Sequence, residues 1–302
     1  MWLILKPPLF RGGFFLFICF YMLQLIVDSG STKTDWVLLN ASTQILQANS
    51  IGFNPYFQSI DFIASEIEAQ IKPLLAAHLA NIKTIHYYGT GCSTEENCLM
   101  IKTALQKSLG NISCFVEHDL LAAARALCQH EWGIAGILGT GSNSCLYDGK
   151  VILENVPSAG YLWSDYGGGS QIGKFMMRDY FEGKMPEDIK IAFEAAGYTK
   201  EVILNNVYKK PVPSKYLASV SDFASKHIQH PFVLKILKEC FRSFFAEQIG
   251  KYSNARLYKV HTVGSIGFYF KDLIAEVARE MGYEMGTVIK SPMEGLIKFH
   301  SI

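Results

Sequence analysis

Asp28, Ser29, Gly30, Ser31, Thr32, Lys33 and Thr34 stand together between two apolar runs, in LIVDSGSTKTDWVLL from Leu25 to Leu39. A turn of small residues leaves backbone N–H groups and hydroxyls unobstructed, and such a concavity can wrap a phosphate. The same composition also suits a plain hairpin turn, so this segment alone leaves both readings open.

A second stretch weighs on that choice. GILGTGSNSCLYDG places Gly139-Thr140-Gly141-Ser142-Asn143 against Asp28-Ser29-Gly30-Ser31-Thr32, an offset of 111 residues from 28 to 139. Internal repetition speaks to architecture. Two strand–turn–strand units facing each other across a cleft would clamp one polyphosphate, which is what phosphoryl transfer requires. That reaction needs a positioned phosphate chain, a metal to neutralise it and a base for the attacking hydroxyl. Asp28 can serve the metal side directly or through water, because Mg²⁺ keeps several waters and takes one or two carboxylates. Lys33 could meet phosphate charge or remain a solvated turn lysine.

The elements that must position these residues follow from periodicity, which gives an α/β alternation. Leu23–Val27, Asp35–Leu39 and Thr43–Leu46 read as a meander of strands. Ile60, Ile63, Ile67, Ile71, Leu74 and Leu79 mark the buried face of one helix over residues 59–79. KTIHYYG is a strand, STEENCLMIKTALQKSLG a helix with a Ser/Thr start and a terminal glycine, and ISCFVEH a strand. DLLAAARALCQH is an alanine-rich helix. The pattern restarts at Gly133 with three strands, the second pair joined by an Asp148-Gly149 hairpin. Helices follow from about Gly173 to Tyr252. Then come a strand ending at VGSIG, the helix FYFKDLIAEVAREMG, the strand TVIK and a capped helix in SPMEGLIKFHSI.

The composition narrows the function classes. The chain has 302 residues, room for two ordinary domains, and 28 basic against 27 acidic residues give a net charge of +1. No such balance marks a binder of nucleic acid or membrane surface, and small-molecule partners are expected. The seven cysteines follow no metal-ligating spacing, as in a reduced, cytoplasmic chain. Lys6 and Arg11 precede an apolar run from Gly12 to Val27 that is similar to a signal peptide or short anchor. No small-x-small cleavage site follows it, however, and Leu23–Val27 is needed as the strand that delivers Asp28. The expectation is therefore a start at Met22, with residues 1–21 a non-native extension.

Taken in order, VDSGSTKTDWVLL, VEHDLLAAARA, GILGTGSNSCLYDG, GYLWSDYGGGSQIGK and VHTVGSIG resemble the BadF/BadG/BcrA/BcrD-type ATPase family, and within it the N-acetylglucosamine kinases of the sugar kinase, Hsp70 and actin superfamily. The resemblance implies a two-domain actin-like, ribonuclease H-like α/β fold. In it, duplicated mixed sheets in residues 22–125 and 126–302 would flank a nucleotide cleft, with the last helix packing back on the first domain. It implies ATP and Mg²⁺, with Asp28 on the metal side. Gly30, Ser31, Thr32 and Lys33 would form the first phosphate loop, and Gly139, Thr140, Gly141 and Ser142 the second. Gly264 and Ser265 would lie beside the adenosine, or form an ordinary strand-to-helix turn.

By the same resemblance Asp119 is the catalytic base, a role compatible with its capping the following helix. Asp165 would bind sugar hydroxyls or be a loop acid. Asn54 would bind substrate or initiate an Asn-Pro turn, and Gly91 could add a backbone contact. The expected activity is conversion of N-acetylglucosamine to its 6-phosphate, with a homodimer left open. Two other functions fit part of the pattern. An ATPase that activates a radical dehydratase would need a cluster-binding cysteine where this chain has Trp163-Ser164-Asp165-Tyr166. A sugar or nucleotide sensor would usually carry a DNA-binding segment.

Overall fold

The computed structural model describes residues 23–30 and 32–301, so the expected start at Met22 lies outside them. In the first lobe, β1 (Leu23–Ser29), β2 (Lys33–Asn40) and β3 (Thr43–Ile51) form an antiparallel meander, and β4 (Ile82–Gly89) and β5 (Ser113–His118) add parallel to β1, giving the order β3-β2-β1-β4-β5. Alternation decides what each face does. Leu25 and Val27 pack under α1 (Ile60–Gln70), α2 (Lys72–Leu75) and α3 (Glu95–Leu109), whereas Ile26 looks toward the other lobe. Asp28, two residues on, continues the face of Ile26.

The single helix expected over residues 59–79 is broken after Gln70. Pro73 has no N–H and its ring collides with the carbonyl one turn back, so the helix stops and restarts. Leu74, expected on the buried face, is 50% exposed, while Leu75 takes the inward position.

The alanine-rich helix α4 (Asp119–Cys128) lies between the two sheets and is buried on nearly every side. Ala122, Ala123, Ala124 and Ala126 leave short side chains there, so both sheets approach closely. The second lobe repeats the first. β6 (Gly133–Leu138), β7 (Ser142–Tyr147) and β8 (Ile152–Val156) form the meander, and β9 (Val260–Val263) and β10 (Met285–Ile289) the parallel pair, in the order β10-β9-β6-β7-β8. Between β8 and β9 run α5 (Gly160–Trp163), α6 (Gly169–Phe181), α7 (Glu187–Ala195), α8 (Lys200–Tyr208), α9 (Pro213–Lys226) and α10 (Pro231–Glu247). The helix expected from Phe268 is two, α11 (Ser265–Tyr269) and α12 (Lys271–Glu280), and α13 (Met293–His300) starts on Pro292 without a side-chain cap.

The repeat has a different register from the one its turns suggest. Asp28 pairs with Tyr88, one residue before Gly89, and Ile137 pairs with Val263, one residue before Gly264. Asp28 therefore corresponds to Ile137, an offset of 109. Beyond the turn, Thr34 and Ser142 are the first paired residues, an offset of 108, because the second turn is one residue shorter.

α13 packs on α4, where a Cβ on Gly295 would lie 2.4 Å from Ala126 O, and it carries His300 to β4. His300 Nε2 lies 2.8 Å from Tyr88 Oη, to which Arg125 Nη1 also donates at 2.8 Å, and the His86 and His300 rings are 4.1 Å apart. Burial first, then neighbouring positive charge, lowers His86 to about 4 and His300 to about 3. Below pH 6.5 the unfolded chain binds protons at these imidazoles that the folded chain refuses. Their effect on stability is thus nil above pH 6.5 and grows unfavourable as pH falls to about 4. After a discount for solvent access, each costs about 2 kcal/mol at pH 4. Melting temperature should drop between pH 7 and 4.5, and His86→Phe should shrink that drop by about half; an unchanged slope would refute the assignment.

Candidate active site

The first hairpin is closed by Gly30 N donating to Lys33 O at 2.9 Å. Ser31 lies outside the described residues. Two hydroxyls of the stretch hold the scaffold: the buried Ser29 Oγ sits 2.8 Å from Thr34 Oγ1 and accepts from Phe53 N at 3.2 Å. Thr32, by contrast, is exposed at the tip.

Hairpin register brings a second carboxylate to the first, since Asp28 faces Asp35 across the β1–β2 ladder. Lys33 Nζ, expected near phosphate, pairs with Asp35 Oδ1 at 2.7 Å, and Asn49 Nδ2 also donates to that oxygen. Burial, then repulsion from Asp35 and Asp119, raises Asp28 to about 7 against the opposing pull of Lys33. Asp28, Asp35 and Asp119 thus concentrate negative charge at the floor of the cleft. Beside them a cavity of about 690 Å³ separates Lys33, Asp35 and Gln47 from Phe268, Lys290 and Glu294 of the other lobe.

Asp119 is the first residue of α4, but the cap is His118, whose Nδ1 accepts from Leu121 N at 3.3 Å. The Asp119 side chain therefore does not cap the helix, and its Oδ2 accepts from Thr90 Oγ1 at 3.0 Å. Thr90 N in turn donates to Ser29 O at 2.9 Å, which ties this loop to the end of β1. Next to Thr90, Gly91 has φ +84° and packs on Asn54, where a Cβ would lie 2.6 Å from Asn54 Oδ1. Asn54 does form the turn, with Oδ1 accepting from Tyr56 N at 3.0 Å. Asn54, Gly91, Thr90 and Asp119 therefore form a contiguous patch on the first lobe.

In the second lobe Gly139 N donates to Gly141 O at 3.0 Å, and the start of α6 is bound to the same turn by Gly169 N to Gly139 O and Ser170 N to Thr140 O, at 2.9 and 2.8 Å. Asp165 is buried beneath this loop with φ +58°, and its Oδ1 accepts from Ser142 N and Ser158 Oγ, each at 3.1 Å. A Cβ on Gly141 would lie 2.5 Å from Asp165 Oδ2, so only glycine allows that approach. The buried hydroxyls of Ser142 and Ser170 have no hydrogen-bond partner among the described residues. Such groups are costly unless a ligand or water meets them.

Gly264 has φ +119°, and a Cβ there would lie 2.4 Å from Leu138 O, so this turn is pressed against the start of the Gly139–Gly141 turn. Ser265 opens α11 and lines a cavity of about 420 Å³ with Ser221, Asp222 and Tyr269.

Solved structures with a similar fold match nearly the whole chain. One from Porphyromonas gingivalis, named a candidate N-acetylglucosamine kinase, is 34% identical, with 93% of this chain and 98% of that one covered and a TM-score of 0.85. The chain belongs to the N-acetylglucosamine kinase-like family of actin-like ATPases. A protein of Chromobacterium violaceum with the same candidate name is 15% identical, at 93% and 99% coverage and TM-score 0.70. A ROK family glucokinase from Streptomyces griseus, solved with glucose and AMPPNP, is 14% identical, at 92% and 97% coverage and TM-score 0.54. The last two show the fold, two actin-like α/β domains, and no more. No family model matches the chain, and no curated protein matches it.

Within this kinase-like frame, three contributors were missed from sequence. Asp35 was legible in principle, since a four-residue turn sets 28 opposite 35. Thr90 stands beside Gly91, where a lone threonine in a turn does not reveal its bond to Asp119. Lys215, which reaches Thr32 from α9, left no sequence signal at all. The crowded carboxylates around Asp28 suit a hard divalent cation. No three His, Cys, Asp or Glu side chains among the described residues are close enough to hold a metal by themselves. Among the described residues, no helix is long and apolar enough to cross a membrane.

Proposed function

We propose that the protein is a cytoplasmic, ATP-dependent kinase of amino sugars that converts N-acetylglucosamine to N-acetylglucosamine 6-phosphate. The observation that carries this reading is Asp119, held by Thr90 between the Asn54–Gly91 patch and the Asp28 side of the cleft. A sugar bound to Asn54 and the Gly91 backbone would present its 6-hydroxyl to Asp119, and Asp165, buried under the Gly139–Gly141 turn, would meet its hydroxyls from the second lobe.

Asp119 takes the hydroxyl proton as the sugar oxygen bonds to the γ-phosphorus, and the bond from that phosphorus to the β–γ bridging oxygen breaks to release ADP. Gly30, Thr32, Gly139, Thr140, Gly141 and Ser142 orient the phosphates, and the Gly264–Ser265 turn lies at the nucleoside end. Asp28, directly or through water, would hold a Mg²⁺ ion, which when bound would supply charge neutralisation to the phosphates. Approach of the lobes excludes water, so the sugar is the acceptor.

A panel of amino and neutral sugars with ATP and Mg²⁺, followed by ADP release, tests this. N-acetylglucosamine should give the highest kcat/KM and stimulate ADP release at least about 100-fold over the rate without sugar. Equal rates with every sugar and with none would point instead to a plain ATPase.

A further inference from the structure

Lys215 touches the first phosphate loop from the opposite lobe. Its Nζ donates to Thr32 Oγ1 at 2.6 Å, across 183 residues of chain. The loop's own cation, Lys33, is engaged by Asp35 at 2.7 Å. Lys215 enters no ion pair among the described residues, and both Lys215 and Thr32 are exposed.

Helix packing fixes where this lysine stands. Pro213 opens α9, and Lys215 follows in its first turn. α6 crosses α9 in backbone contact: a Cβ on Gly173 would lie 2.0 Å from Leu217 O, and one on Gly169 3.0 Å from Ala218 Cβ. The paired glycines of GSQIG are what allow this approach. Because the start of α6 is itself bonded to Gly139 and Thr140, the second phosphate loop, α6 and the first turn of α9 form one connected unit. That unit ends in an ammonium group at the tip of the first phosphate loop.

We propose that Lys215 is a phosphate-contacting residue of the transfer reaction, supplied across the cleft by the second lobe. This rests on the kinase reading. A lysine ammonium is a compact charge with three donors, suited to oxygens whose charge is redistributed as the γ-phosphoryl group moves. With ATP bound, the ammonium leaves the Thr32 hydroxyl for the terminal phosphate. The contact exists only when the lobes are together, so closure completes the charge around the phosphates.

The test uses the full-length protein as wild type, Lys215→Ala and Lys215→Arg. Calorimetry compares AMPPNP with AMP, and steady-state kinetics uses ATP and N-acetylglucosamine. Lys215→Ala should lower kcat about 30-fold or more and weaken AMPPNP about tenfold, with AMP affinity and sugar KM unchanged within twofold. Lys215→Arg should recover most of the loss. Equal weakening of AMPPNP and AMP, or kcat within twofold of wild type, would overturn the assignment. If wild type phosphorylates no sugar, the kinase reading fails on its own, and the AMPPNP and AMP comparison still decides Lys215.

Discussion

Asp119→Asn should lower kcat about 10³-fold with sugar KM changed less than about threefold. The amide is nearly isosteric and can still accept from Thr90 Oγ1, so the contact at 3.0 Å and the start of α4 survive. What disappears is a group that can hold the 6-hydroxyl proton in the transition state, and only interactions made there act on kcat alone. Steady-state kinetics with N-acetylglucosamine and calorimetric titration of the sugar measure the two halves separately. A variant within tenfold of wild-type kcat would remove Asp119 from the role of base.

Asp28→Asn should separate activity from stability. Burial and the neighbouring Asp35 and Asp119 raise Asp28 to about 7 from 3.8. Between those values the folded protein keeps a proton that the unfolded chain has released. Stability is therefore unaffected by this group below about pH 4, falls as pH rises through 7 and is flat above. The destabilisation at pH 8 is on the order of 2–4 kcal/mol. An asparagine carries no charge to bury, so in chelator the variant should melt several degrees above wild type at pH 8, with the two converging near pH 4. Its kcat should nevertheless fall about 100-fold or more, because the carboxylate we propose for the metal side of the phosphates is gone. A lower melting temperature for the variant at pH 8 would contradict the crowding account. In the wild type, protons and cation compete for Asp28, so apparent Mg²⁺ affinity should weaken up to tenfold per pH unit below 7.

The two effects arise from one patch, and its members differ in how visible they were beforehand. Asp28 is legible because an apolar strand must end somewhere, and an acid followed by small residues marks where it does. Asp119 is legible as an acid between a strand and an alanine-rich helix, yet the cap fell to His118, since a choice between adjacent residues turns on dihedral angles that composition does not report. Asp165 was legible as an acid before a glycine turn. Its bonds to Ser142 N and Ser158 Oγ, which place it beneath the Gly139–Gly141 turn, belong to contacts across loops. The repeat was legible as repeated chemistry, while its offset was not: matching the turns gives 111, and the ladders give 109 before the turn and 108 after.

From its sequence alone this protein was already a duplicated α/β chain with two small-residue turns and an acid at the end of its first strand. Those features depend on neighbours a few positions apart, where strand alternation, helical spacing and turn chemistry write regular patterns. Tertiary structure alone decided that Lys33 is held by Asp35, that Thr90 orients Asp119 and that Lys215 reaches Thr32. A single side chain meeting another across a cleft has no period to betray it. Its position comes from how closely Gly169 and Gly173 let two helices pack.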